Sequence, residues 1–211
     1  MATVGVCAGL LCASYAWAAD IECVAGANHC NGTNGEDSIL GSNRADDIDA
    51  RDGEDLIRAG KGDDRVEGGE ASDLLYGEQG DDTQLGGGGN DQIYDSKGDG
   101  AGEDTFKGQG GIDQIAGGAD RDLISGGAEG DTLYGDQAAD VFRGGSGSDS
   151  MDGEQGPDRY FGGAGADEID AVSNDTEGSR DVIDCGGGKD TVFANGEDDK
   201  VADNCEIVIF P

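Results

Sequence analysis

Large apolar residues in this chain neither alternate nor recur at helical spacing. From Gly32 to Ala202 one recurs every nine residues, in a frame that reads small, x, x, often Gly, x, Asp, x, apolar, x. The frame can be laid down 18 times. Its eighth position is apolar from Ile39 through Leu75, Phe106 and Leu133 to Val201, with Gln84 the one exception. There the neighbouring Leu85 is expected to take the inward place through a local slip. The sixth position never varies: Asp37, Asp46, Asp55, Asp64, Asp73, Asp82, Asp91, Asp104, Asp113, Asp122, Asp131, Asp140, Asp149, Asp158, Asp167, Asp181, Asp190 and Asp199. Two insertions interrupt the frame, four residues within Asp95 to Asp104 and five within Ala171 to Asp181.

A repeat of this period predicts a solenoid. In each unit, x-apolar-x reads as a very short strand with one side chain facing in and two facing out. The six residues before it must turn the chain sharply, and glycine permits the positive φ that such turns need. Two units make one coil of 18 residues. Stacked coils place parallel strands about 4.8 Å apart. The predicted fold is all-β, a flattened right-handed parallel β-roll with its turns stacked along two edges.

Composition and charge sharpen this picture. Asp and Glu number 47 against 13 Lys and Arg, a formal charge of -34, and Gly contributes 42 residues. Low hydrophobicity with such charge ordinarily marks disorder, but disorder does not hold a nine-residue phase over the length of the chain. A surface of this sign repels nucleic-acid phosphate and anionic membranes and attracts cations. One core side chain in nine residues is little apolar burial to set against the entropy of ordering them. Eighteen stacked carboxylates also repel one another, so the roll needs a counter-charge. Asp carboxylates and turn carbonyls are hard oxygen donors of the kind Ca²⁺ prefers. Nine turns on each edge leave eight gaps, a ceiling of sixteen ions whose +32 lies close to the protein's own charge.

Residues 1–18 carry no charge and end in Ala16-Trp17-Ala18, the pattern of a secretory signal peptide. Four cysteines remain beyond it, Cys23, Cys30, Cys185 and Cys205, an even number in an exported chain. They allow three pairings, of which Cys23–Cys30 and Cys185–Cys205, one near each end, is favoured; their spacings do not fit a zinc site.

The stretches "GGGGNDQIY" (86–94), "GGSGSDSMD" (144–152) and "GGAGADEID" (162–170) resemble the RTX, or haemolysin-type, calcium-binding nonapeptide repeat. The resemblance runs through residues 32–202. It implies a calcium-dependent parallel β-roll that is disordered without the ion and folds after export. It places the metal ligands on the sixth-position Asp of each row and on the carbonyls of its glycine turn. Consecutive rows alternate between the edges. On the edge that begins with Gly32 the fourth position departs from Gly only at Ala71 and Glu129. On the other edge Arg44, Asp120, Ala138, Ser179 and Glu197 stand there. The first edge is therefore expected to hold the better sites, with Asp46 most in doubt because the Arg44 cation would compete. The end "DVIDCGGGKDTVFANGEDDKVADNCEIV" resembles a terminal cap of secreted actinobacterial-type repeat proteins. The expected organisation is signal peptide 1–18, N-terminal cap 19–31, repeat roll 32–202 and C-terminal cap 203–211.

Catalytic signals are weak. The single His29 adjoins Cys30 and reads as a surface residue, and no segment outside the repeats is long enough for a catalytic domain. The insertion "DSKGDG" is similar to an EF-hand loop but has Phe106 where the twelfth-position acid belongs. Tyr76, Tyr94 and Tyr134 share the ninth position on one outer face, either as a cross-strand ladder or as a carbohydrate platform. The expectation is a secreted, non-enzymatic calcium-ion-binding protein with a structural or interaction role, without nucleic-acid partners or a membrane span. The alternative is a calcium-dependent adhesin or carbohydrate-binding module with a glycan or protein partner at a cell surface.

Overall fold

Strands in the computed structural model alternate strictly between two parallel sheets, so each nine-residue row feeds the sheet opposite the one before it. The model describes residues 19–23, 29–95, 102–172, 179–196 and 198–210. The apolar leader 1–18, the EF-hand-like insertion beyond Asp95, most of the second insertion and Glu197 lie outside them. Odd-numbered strands in chain order form an 11-stranded sheet and even-numbered ones a 10-stranded sheet. The described residues contain no helix. This is the expected parallel β-roll.

The register is 18 residues from coil to coil, as in Leu133↔Met151 and Phe142↔Tyr160. It lengthens to 22 across the first insertion (Ile93↔Ile115) and 23 across the second (Tyr160↔Ile183). Eighth-position side chains from both sheets meet in one core, including Ile57, Leu75, Ile93, Phe106, Ile124, Leu133, Phe142 and Ile169. Phe142 and Tyr160 stack in parallel with ring centroids 5.0 Å apart.

Strands are longer than the three residues expected. Many run from the seventh position of one row to the third of the next, as in Leu56–Lys61 and Val141–Ser146. Each strand then points two side chains inward, the eighth-position residue and the first-position residue that follows it, as with Ile57 and Ala59. This explains why the first position is small: its space borders the Asp column. The second and fourth positions carry positive φ, at Gly145 and Gly147 for example, and Ala71 and Glu129 adopt it without glycine's freedom.

Gln84 departs from expectation. It is fully buried, and pairs in register with Val66 on one side and Phe106 on the other, while Leu85 is only half-buried. No slip occurs. Parallel pairing with Arg65–Glu70 on one side and Thr105–Gly110 on the other holds the strand Thr83–Gly88 in phase, and moving it by one residue would misalign every bond.

Both sheets extend past the repeat. Ala19–Glu22 pairs with Asp37–Leu40, and Cys30–Asn31 with Asp47–Asp52, so the described parts of the N-terminal segment add one short strand to each sheet. Cys23–Cys30 closes this segment, with Cα atoms 5.6 Å apart. At the other end Ile207–Ile209 is the last strand of the larger sheet, paired with Thr191–Ala194, and Cys185–Cys205 ties it down with Cα atoms 5.3 Å apart. Two disulfides fit an oxidising environment.

Candidate metal centre: two columns of buried aspartates

The turns stack the sixth-position aspartates in two columns, one along each edge. Within a column the backbone N–H of each Asp donates to Oδ1 of the Asp one coil further on: Asp131 to Asp149 at 2.9 Å, Asp149 to Asp167 at 3.0 Å, Asp122 to Asp140 at 2.8 Å. The sequence-predicted residues all stand in these columns. The first edge begins with Ala19, whose N–H donates to Asp37 Oδ1, and ends with Glu206, whose Oε2 accepts the Asp190 N–H at 3.0 Å. Glu206 is a column member that the nine-residue frame misses. The last coil is 16 residues, pairing Thr191 with Ile207, so Glu206 falls where an Asp would stand.

The other carboxylate oxygen distinguishes the interior from the ends. At the ends it is satisfied by its own turn: Asp37 Oδ2 accepts the Thr33 N–H, Asp46 Oδ2 the Ser42 N–H and Asp199 Oδ2 the Asn195 N–H, each at 2.6 Å. In the interior, Oδ2 is buried and finds no hydrogen-bond partner among the described residues. This holds for Asp55, Asp73, Asp91, Asp113, Asp131, Asp149, Asp167 and Asp190 on the first edge, and for Asp64, Asp82, Asp104, Asp122 and Asp140 on the second. A buried carboxylate oxygen without a donor is costly.

These oxygens face a shared kind of cradle. A Cβ placed on Gly144 would press on Asp149 Oδ2 and on the Gly162 carbonyl one coil later. Gly68 stands in the same relation to Asp73 Oδ2 and Gly86 O, and Gly108 to Asp113 Oδ2 and Gly126 O. Each of these three gaps thus brings together a carboxylate oxygen, a carbonyl oxygen and the space left by a missing side chain.

Electrostatics show what the columns lack. Burial, aided by the charge of neighbouring carboxylates, outweighs the backbone hydrogen bond and holds these groups above the ordinary 3.8. Asp55, Asp64, Asp91 and Asp167 are pushed up to about 6, and Asp82, Asp122 and Asp131 to about 7. Asp73 and Asp140 reach about 8 and Asp104 about 9. Such groups demand either a proton or a cation.

Among the described residues no three His, Cys, Asp or Glu side chains converge into a self-contained metal cluster. The donors are instead one carboxylate per turn plus main-chain carbonyls, an all-oxygen set that fits Ca²⁺ and offers a transition metal nothing. Tyr160, which the sequence pattern counts as apolar, brings a polar tip to the second column. Its hydroxyl lies 3.5 Å from Asp158 Oδ2 and 3.3 Å from the Asp170 carbonyl. His29 is exposed and pairs with Asp47 at 2.9 Å.

A parallel β-roll with stacked acidic turns defines a class of calcium-binding solenoid. Comparison with protein families agrees: the model for the RTX calcium-binding nonapeptide repeat matches residues 31–66, 58–93, 98–133, 134–169 and 175–201. The chain belongs to that family, calcium is the ion its repeats bind, and the buried columns fit several such ions. A search of curated proteins returns no match to the chain.

Proposed function

We propose that this is an exported calcium-ion-binding protein whose roll is completed by Ca²⁺ at the columns and which serves a structural or interaction role outside the cell. The observation that carries the reading is the run of buried, unpartnered Oδ2 atoms along both edges. The metal ligands are the eighteen sixth-position aspartates, foremost those with unpartnered Oδ2, together with first-position carbonyls. Bound calcium supplies positive charge to these oxygens. The chain's own residues do the rest: glycines clear the space, and N–H to Oδ1 bonds aim each carboxylate into its gap. This role includes no catalytic step. Export is supported by the apolar leader 1–18 and by the two disulfides. No helix among the described residues is long and apolar enough to cross a membrane. The proposed organisation is signal peptide 1–18, N-terminal cap 19–31, repeat roll 32–202 and C-terminal cap 203–211.

Circular dichroism of the oxidised chain tests this. Titration with Ca²⁺ should raise β signal cooperatively while Mg²⁺ does not. Full β structure without any divalent ion would overturn the calcium requirement.

One observation favours a second reading, a calcium-dependent glycan binder. Tyr76 and Tyr94 contact each other on the outer face with centroids 5.7 Å apart, and the Arg58 guanidinium lies 4.7 Å above Tyr76. A glycan array probed in calcium should lose its signal with Tyr76→Ser/Tyr94→Ser. Unchanged signal, or none in the parent, removes this reading.

A further inference from the structure

Gln84 is the only eighth-position residue with a carboxamide. It is 0% exposed, and neither its Oε1 nor its Nε2 has a hydrogen-bond partner among the described residues. Leaving such a group unsatisfied is destabilising, and every other row avoids that cost with an apolar or, in Tyr160, a hydrogen-bonded side chain. The carboxamide is aimed at the column. A Cβ on Gly77 would stand 2.5 Å from Asp82 Oδ2 and 2.7 Å from Gln84 Nε2, so the two side chains border one space. A half-turn of the terminal torsion exchanges Nε2 for Oε1 there.

The adjoining coil departs from the repeat at the same place. Tyr76 pairs with Tyr94, which sets Asp95 beside Gly77. The Asp95 N–H donates to the Ala116 carbonyl, the bond that first-position residues make elsewhere, as Gly41 does to Arg58. Asp95 therefore fills the first position, and no other row has a carboxylate there. It is buried, and its charge helps to raise Asp82, Asp104 and Asp122. Asp95 adds charge to this stretch of the second column, and Gln84 adds a neutral oxygen from the core side.

We propose that Gln84 is a metal ligand: its carboxamide oxygen joins Asp82 Oδ2 at Gly77 to form a calcium site unlike the repeat sites, with a ligand contributed by the core and extra negative charge from Asp95. The inference rests on the calcium reading of the columns. It also reverses the expected ranking of the edges at this point, because the second edge then holds the site with most side-chain donors.

Native mass spectrometry of the oxidised chain in a volatile calcium buffer gives an integer count of bound ions. Gln84→Leu restores the repeat pattern and should hold one ion fewer than the parent. Gln84→Glu keeps an oxygen donor and should hold the parent's number. A Gln84→Leu chain with the full count would overturn the proposal, as would a Gln84→Glu chain one ion short. A parent that holds no calcium would instead bring down the underlying reading, and this proposal with it.

Discussion

Replacing Asp149 separates its two jobs. Its Oδ1 accepts the Asp131 N–H at 2.9 Å, and its buried Oδ2 faces Gly144 and the Gly162 carbonyl without a partner. Asp149→Asn keeps an acceptor for the N–H but removes the charge. Asp149→Ala removes both. At free calcium a hundred times the site's Kd, one bound ion contributes about 2.7 kcal/mol, so Asp149→Asn should lose about that much in saturating calcium. Asp149→Ala should lose about 1–3 kcal/mol more, because the Asp131 N–H is then buried without an acceptor. Without calcium the order changes: burial already disfavours the Asp149 carboxylate, so Asp149→Asn should be at least as stable as the parent. Asp46 is the control, since its Oδ2 is taken by the Ser42 N–H at 2.6 Å. Asp46→Asn should change the calcium dependence less. The assay is urea unfolding followed by circular dichroism at fixed free calcium and again in chelator. Equal losses for Asp149→Asn with and without calcium, or equal calcium dependence for the Asp149 and Asp46 variants, would refute the reasoning.

Three further outcomes follow from the same geometry. Asp55, Asp64, Asp73, Asp82, Asp91, Asp104, Asp122, Asp131, Asp140 and Asp167 are raised from the ordinary 3.8 to between about 6 and about 9 in the metal-free roll, so the roll binds more protons than the unfolded chain. Its metal-free stability should fall as pH rises from about 4 through 9, whereas in saturating calcium stability should fall on acidification; pH-dependent unfolding with the same slope in both conditions would contradict this. Gly144→Ala puts a methyl between Asp149 Oδ2 and Gly162 O and should raise the calcium midpoint, while Gly187→Ala, with nothing within 4 Å, should leave it unchanged; equal midpoints would count against the cradle. Cys205→Ser opens a link of sequence separation 20, worth about 3 kcal/mol by chain entropy, and should speed hydrogen exchange in Thr191–Ala194 and Ile207–Ile209; unchanged protection would make the cap dispensable.

Much of the roll is legible in the sequence because one residue type does two things at one position. Asp149 and its equivalents both link neighbouring turns and supply the charge, so the sixth position is Asp in all 18 rows and fixes the phase. The inward apolar residue then follows two places on. What escapes the pattern depends on contacts between coils. Gln84 looks like an error of phase until the paired strands around Val66 and Phe106 show that it cannot move. Glu206 is hidden because the last coil is short, and only the Asp190 N–H identifies it as the end of a column. The small first position is visible as a habit, but its cause, the oxygen of Asp149 or Asp113 facing that space, needs the packed structure. Fourth-position glycine sets the two edges apart in the sequence, whereas unpartnered oxygens occur along both.

Anomalous scattering from crystals of the calcium-loaded chain, collected at a wavelength where calcium contributes strongly, tests the central claim most directly. The account predicts two columns of peaks beside the unpartnered Oδ2 atoms, repeating at about the 4.8 Å strand spacing. Peaks confined to exposed carboxylates on the outer faces, or columns without peaks, would contradict it.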